Sequence, residues 1–310
     1  MSELSWPEQA RSLFVTVHGE EVHYLDFGGD AGAGTIVCVH GLGGSALNFG
    51  AVGPLLADGH RVLVMDLPGH GRSAAGVPVA ADAVRTLVRQ IDGFLEQVAR
   101  EPVVLVGHSL GGVLAVLHAA ASPASVRRLV LLDPPVPHRT RLPVDLRLAA
   151  KLALLRAPGV RRAVERRVQR STPEELVSQQ LADATPRPTQ VPDGAVAAAV
   201  QETRLRAESQ DYLAAQRLQW AAILGTIALL VRPRGWRRRL AAVTQPTLWL
   251  HGVDDLLVPV ADAASYAGSR PEWTFRTCPG VGHLPHLENP AWVDATVRAW
   301  STEVDAARAS

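Results

Sequence analysis

Cysteine is scarce in this 310-residue chain: Cys38 and Cys278 are the only two, each inside an apolar, strand-like run. A disulfide scaffold needs more than two, so both are expected as buried, reduced thiols. No Cys/His group has the close spacing of a structural zinc site, so neither a metal nor a cofactor is predicted. The first 21 residues lack a basic stretch followed by an apolar one; no secretory signal is read, and a cytoplasmic location is expected. Long hydrophobic runs are missing too. The longest, Trp220 to Val231, has 12 residues where crossing a bilayer takes about 20, so stable membrane insertion is not expected and the run reads as a buried or pocket-lining helix.

Hydrophobic residues make up 47% of the chain and charged residues 20%, enough to bury a sizeable interior. The formal charge of +1 hides an asymmetry. Between Pro134 and Leu240, 19 Lys and Arg stand against 9 Asp and Glu, leaving 12 against 21 elsewhere. Clusters such as Arg161-Arg162, Arg166-Arg167 and Arg237-Arg238-Arg239 could attract anions or an anionic membrane surface. No aromatic residues interleave with them to stack bases, so nucleic acid is not an expected partner and a solvated helical face is the simpler account.

Leu13 to Val17 and Val22 to Phe27, separated by His18-Gly19-Glu20-Glu21, suit a β-hairpin. Thr35 to Val39, Arg61 to Met65, Pro102 to Val106 and Arg128 to Leu132 are apolar runs without polar alternation, as parallel strands covered on both faces require. Helical spacing fills the gaps at 46–57, 80–100 and 110–121, and alternation of strand and helix predicts a doubly wound α/β sheet. After Pro134-Pro135 the rhythm breaks into an Ala/Arg/Leu-rich helical stretch, then resumes at Pro246 with strands near 246–250 and 273–278 and helices near 260–268 and from Pro290. The reading is a core of residues 1–133 and 244–310 interrupted by a helical cap, 134–243.

Val103 to Gly112 contains a strand, Gly107-His108-Ser109-Leu110-Gly111, and a helix start. In that context the G-x-S-x-G serine is held at a sharp turn with its hydroxyl projecting from the strand end. A serine hydroxyl needs a general base, and the base needs an orienting acceptor. His283, in Gly282-His283 between the last strand and the last helix, completes the chain order Ser, acid, His; His286 and His251 compete for the role. Asp255 is preferred as the acid, with Asp254 and Asp133 as alternatives. Backbone N–H groups of Leu110 and Leu42, the latter in the glycine-rich loop Val39 to Ser45, are the expected oxyanion donors. That loop lacks a Walker lysine and makes a poor dinucleotide fingerprint. His40, Gly41, His108, Trp220 and Trp236 are the expected substrate-contacting residues.

Five segments together resemble the α/β-hydrolase superfamily: His40-Gly41, Asp66 to Ser73, the Ser109 turn, Gly252-Val253-Asp254-Asp255 and Gly282-His283. The resemblance implies a mainly parallel eight-stranded sheet, an acid at Asp255, a base at His283 and a helical cap after the sixth strand. It also implies hydrolysis of a carboxylic ester, lactone or thioester of an apolar small molecule. Carbon-carbon bond hydrolases, cofactor-free perhydrolases and slow-turnover ligand receptors are the alternatives. Dehalogenases and epoxide hydrolases of the superfamily carry aspartate where Ser109 stands. An acyl group on an anionic carrier is a further possibility raised by the arginines.

Overall fold

The computed structural model describes residues 6–7, 9–30, 32, 34–76, 82–140, 142–157 and 159–309, the side chain of residue 309 excepted. Eight strands form one sheet in the order β1-β2-β4-β3-β5-β6-β7-β8. They are β1 (Arg11–Val17), β2 (Glu20–Gly28), β3 (Thr35–Val39), β4 (Arg61–Met65), β5 (Val103–His108), β6 (Val126–Leu132), β7 (Thr247–Gly252) and β8 (Thr274–Cys278). β1 pairs antiparallel with β2 and β2 with β4; every other pairing is parallel. The β1–β2 connection is tighter than the sequence suggested. His18 and Gly19 both take positive φ, 51° and 86°, the backbone of a two-residue turn that matches strand twist.

Side-chain alternation explains why the central strands read as unbroken apolar runs. In β3, Val37 and Val39 join one core while Ile36 and Cys38 join the other; β4, β5 and β6 divide the same way. The first core lies beneath α2 (Ala83–Phe94), α3 (Leu110–Ala121) and the helices that follow β6; the second is closed by α12 (Pro290–Ala309) and the segment after β3. Both cysteines are buried free thiols.

Three helices differ from expectation. The stretch 46–57 is a single 3₁₀ turn, Ala46–Phe49, and a one-turn helix, α1 (Gly53–Leu56). Ser45 and Asn48 close a capping box on that turn, and Gly50 and Pro54 keep it from growing. The helix expected over 80–100 is α2 followed by a π turn, Leu95–Ala99; residues 80 and 81 lie outside the described residues. The apolar run at Trp220 belongs to a longer helix, α8 (Tyr212–Leu230), because Tyr212 to Gln219 add two helical turns before it. At 19 residues α8 is long and apolar enough to cross a membrane, which corrects the reading from run length, and 28% of it is buried inside the protein.

Between β6 and β7 the described residues form helices and no strand: α4 (Leu146–Arg156), α5 (Val160–Arg170), α6 (Pro173–Ala184), α7 (Asp193–Ala207), α8 and α9 (Pro233–Ala241). Two short helices, α10 (Val260–Ala267) and α11 (Pro285–Glu288), and the 20-residue α12 follow β7.

Backbone packing at the end of β3 leaves no room for an added side chain. A Cβ on Gly111 would sit 2.2 Å from the Val39 carbonyl oxygen, so Gly111→Ala is expected to cost about 1–3 kcal/mol. Gly19 has open space and only its φ to strain, so Gly19→Ala should cost about 1 kcal/mol. Urea denaturation of both variants checks the contrast.

Candidate active site

β3 sends the chain to β4 on one side while β5 lies on its other side, so the loops leaving the carboxyl ends of β3 and β5 part and open a crevice. Ser109 follows β5 immediately, with φ 52° and ψ −118°. A non-glycine residue held there costs of order 1–3 kcal/mol, which the surrounding contacts must overcome. The Ser109 amide donates to the Leu132 carbonyl at 2.9 Å, and glycines on either side allow backbone to pack on backbone. A Cβ on Gly107 would come within 2.5 Å of the Gly111 oxygen. Leu110 opens α3, so its N–H has no helical acceptor and points with the dipole toward any negative charge beside the serine. The β3 loop closes from the other side: a Cβ on Gly41 would lie 3.0 Å from the Ser109 Cβ. Leu42 turns its own side chain outward.

His283 is buried, and its Nδ1 lies 2.7 Å from Asp255 Oδ2. The other carboxylate oxygen of Asp255 accepts the amides of Leu257 and Val258 at 2.7 and 2.9 Å. Burial alone would raise this carboxyl's pKa, but the His283 bond and the amide donors outweigh it and hold the group below its ordinary value. Asp254 is half-buried and bonded to Arg187 at 2.6 Å instead. Among the described residues Ser109 Oγ makes no hydrogen bond, so the Asp255–His283 pair is joined and the serine stands free of it. His251 donates through Nε2 to the Val258 carbonyl while its Nδ1 receives the Trp249 indole N–H, leaving no nitrogen for chemistry. His286 is sealed between Phe49 and His108, and burial pushes its pKa down to about 3.

Asp133, with φ 46°, takes the Gly252 amide on Oδ1 at 2.8 Å. Burial, followed by the nearby Asp255 charge, pushes its carboxyl well above the ordinary range, the opposite direction from Asp255. Ligand atoms of Asp133, Asp255 and His283 lie within 4.8 Å of one another, as a metal would require. His283 Nδ1 is committed to Asp255 and Asp133 Oδ1 to the Gly252 amide, so two of these ligand atoms already hold hydrogen bonds.

The expected substrate contacts separate. His40 is fully buried, with Nδ1 donating to the Gly41 carbonyl and Nε2 accepting the Leu67 amide, so its ring braces the loop. His108 is buried and donates from Nε2 to the His283 carbonyl, fixing the two loops to each other. Trp236 sits in the first core: on α9 it shares an inward face with Leu240 while Arg237 to Arg239 face out, which the apolar count around it could not reveal. Trp220 is half-buried on α8 and faces away from the cavity described next. Gly41 borders the serine from the β3 loop.

A cavity of about 1190 Å³ lies between the β3 and β4 loops and the inserted helices. Gly43, Gly69 and Arg72 form its core side; Leu176, Leu205, Arg206 and Ala215 form the helical side. Gly43 is where it reaches the loop covering Ser109. Glu202 lines it from a buried position, 4.0 Å from the Arg206 guanidinium, and burial pushes its pKa up to about 7. Arg206 also donates to the Gly43 carbonyl at 3.4 Å. A second group missing from the sequence reading is Glu288. Its carboxylate accepts the amides of Gly282 and Leu284 on either side of His283, and the Thr185 hydroxyl at 2.6 Å. Its place five residues after His283, in one helical turn, was the available signal.

Residues 36–296 match the family model described as the alpha/beta hydrolase family. The chain belongs to the α/β hydrolase family. An sn-1-specific diacylglycerol lipase of Mus musculus is 29% identical over 269 residues, 84% of this chain and 79% of that protein. A 2-hydroxy-6-oxononadienedioate/2-hydroxy-6-oxononatrienedioate hydrolase of Cupriavidus pinatubonensis is 39% identical over 133 residues, 40% of this chain and 45% of that protein. A serine hydrolase involved in carbazole degradation superposes with a TM-score of 0.70 at 21% identity, covering 94% of this chain and 99% of its own. This hydrolase therefore shares its fold with proteins of several specificities.

Three substitutions at two positions test the electrostatics of the site. Asp133→Asn keeps an acceptor for the Gly252 amide, so melting temperature at neutral pH should stay close to the wild type. Asp133→Ala strands the Gly252 amide and should cost about 1–3 kcal/mol. For Glu202 the folded pKa is raised, so the stability it contributes is full below its unfolded value and lost as pH rises through about 7. Glu202→Gln should therefore gain melting temperature over the wild type between about pH 5 and about pH 8; parallel pH profiles would contradict this.

Proposed function

We propose that the protein is a serine hydrolase that cleaves a carboxylic ester, lactone or thioester of an apolar small molecule. One observation carries the reading: a left-handed Ser109 at the β5–α3 turn, with a buried Asp255–His283 pair bonded at 2.7 Å on the adjacent loops. His283 takes the serine proton as Oγ attacks the carbonyl, and Asp255 fixes the ring tautomer and stabilises the imidazolium. The Leu110 and Leu42 amides receive the oxyanion. His283 then gives that proton to the departing alcohol or thiol as the tetrahedral intermediate collapses, and water deprotonated by the neutral His283 releases the acid and restores Ser109. The inserted helices serve as a cap whose Leu176, Leu205 and Ala215 give the cavity an apolar wall. The diacylglycerol lipase relative, named for an ester of apolar chains, agrees with that wall.

Arg72 and Arg206 favour a second reading, in which the same three residues cleave a carbon-carbon bond of an acid-bearing substrate. The relative named as a dioate hydrolase supports it.

Ser109→Ala should lower p-nitrophenyl ester turnover by about 10⁶-fold at unchanged melting temperature, and Ser109→Ala/His283→Ala should lose little more. Full activity in Ser109→Ala would sink the mechanism. Turnover of vinylogous diketones but not of esters by the wild type would select the second reading.

A further inference from the structure

α4 and α5 are the only long helices of the insertion without a single buried residue among those described. α4 rests on α8 through Leu148, Leu152 and Leu155, all half-buried. Its opposite side is also apolar: Leu146 and Leu154 are 64% and 63% exposed, Ala150 and Ala153 are exposed between them, and Leu142 just before the helix is 51% exposed. Spacings of four, seven and eight put these residues on one stripe. On α5, Val160, Val164 and Val168 recur every four residues, with Val164 41% exposed, among exposed arginines.

The charge around this apolar stripe has one sign. Residues 145–170 carry eight Lys and Arg against Asp145 and Glu165. Asp145 is buried, capping α4 through the Arg147 and Leu148 amides, and Glu165 is held by Arg161 at 3.1 Å. The other seven cations have no carboxylate partner among the described residues. The rest of the chain is net acidic, so this is a local face and not a consequence of overall charge.

We infer that the α4–α5 hairpin docks on an anionic lipid bilayer, with its leucines entering the headgroup boundary and its arginines binding lipid phosphates. The chemistry selects this partner over others. Guanidinium groups match phosphate geometry, and apolar residues beside them gain only where hydrocarbon is available. A nucleic acid would leave the leucines in water, and a protein interface would favour aromatic anchors that these helices lack. The last turn of α5 and Ser171 also line the 1190 Å³ cavity, so docking sets the cavity rim against the lipid. The inference concerns binding alone and stands whether or not Ser109 is the nucleophile.

Cosedimentation of the full chain with phosphatidylcholine vesicles, with and without phosphatidylglycerol, tests it. Binding should require phosphatidylglycerol and weaken in high salt. Arg162→Glu/Arg166→Glu and, separately, Leu146→Ser/Leu154→Ser should each weaken it by about tenfold or more. Melting temperature and turnover of a soluble ester should be unchanged in both. Failure of the wild type to bind phosphatidylglycerol vesicles overturns the proposal. So does binding that responds to the arginine pair but not to the leucine pair, which is charge attraction to the headgroups with no leucine entering the bilayer.

Discussion

The molecule turns on one steric constraint, the contact of bare backbone on bare backbone where β3 and β5 end. Gly111 rests against the Val39 and His40 carbonyls, Gly107 against Gly111, and Gly41 against Ser109. Any Cβ at these positions would push the two strand ends apart. Because they stay together, the start of α3 is forced to leave β5 through a left-handed residue, and the β3 loop is brought over it. The strain at Ser109 is thus held by the packing of both sheet cores, and both must be intact for the serine to be presented.

The histidine side of the site depends on the inserted helices as much as on the sheet. The His283 amide donates to Ala184 at the end of α6, and Thr185 bonds the same Glu288 carboxylate that straps the loop around His283. A Cβ on Gly282 would lie 2.7 Å from the Thr185 side chain, so the two segments meet without room to spare. Movement of α6 must therefore be felt at His283. Glu202 and Arg206 on α7 reach the β3 loop similarly, through Gly43. Both halves of the crevice are tied to the insertion that walls the cavity.

What the sequence disclosed follows from which interactions are local. Continuous apolar runs identified the parallel strands because a strand covered on both faces has no polar side, and the Ser109 turn was legible because its glycines are adjacent in the chain. Helix lengths were read less well. At 46–57 Gly50 and Pro54 stopped the helix in one turn, and at α8 polar residues such as Gln216 and Gln219 hid two helical turns that tertiary packing supports. Trp236 was placed in the pocket on size and apolarity, although its i,i+4 partner Leu240 marks it as core. Glu288, Thr185 and Glu202 act across 103 residues or through burial, and neither separation nor burial leaves a pattern in the chain.

Burial also sorts the ionisable groups. His40, His70, His108, His283 and His286 crowd around the crevice, and of these five His283 is the one with a carboxylate bonded to its ring. Desolvation holds the other four below their ordinary pKa, His70 and His286 down to about 3, so they remain neutral spacers and hydrogen-bond braces. The acids divide in opposite directions: two amides and an imidazole hold Asp255 below its ordinary pKa, while burial pushes Asp133 beside it well above. One ionised carboxylate and one carboxylate-bonded imidazole are what remain chemically available. The low-dielectric surroundings that suppress their neighbours are also what would make their interaction with a developing charge at Ser109 strong.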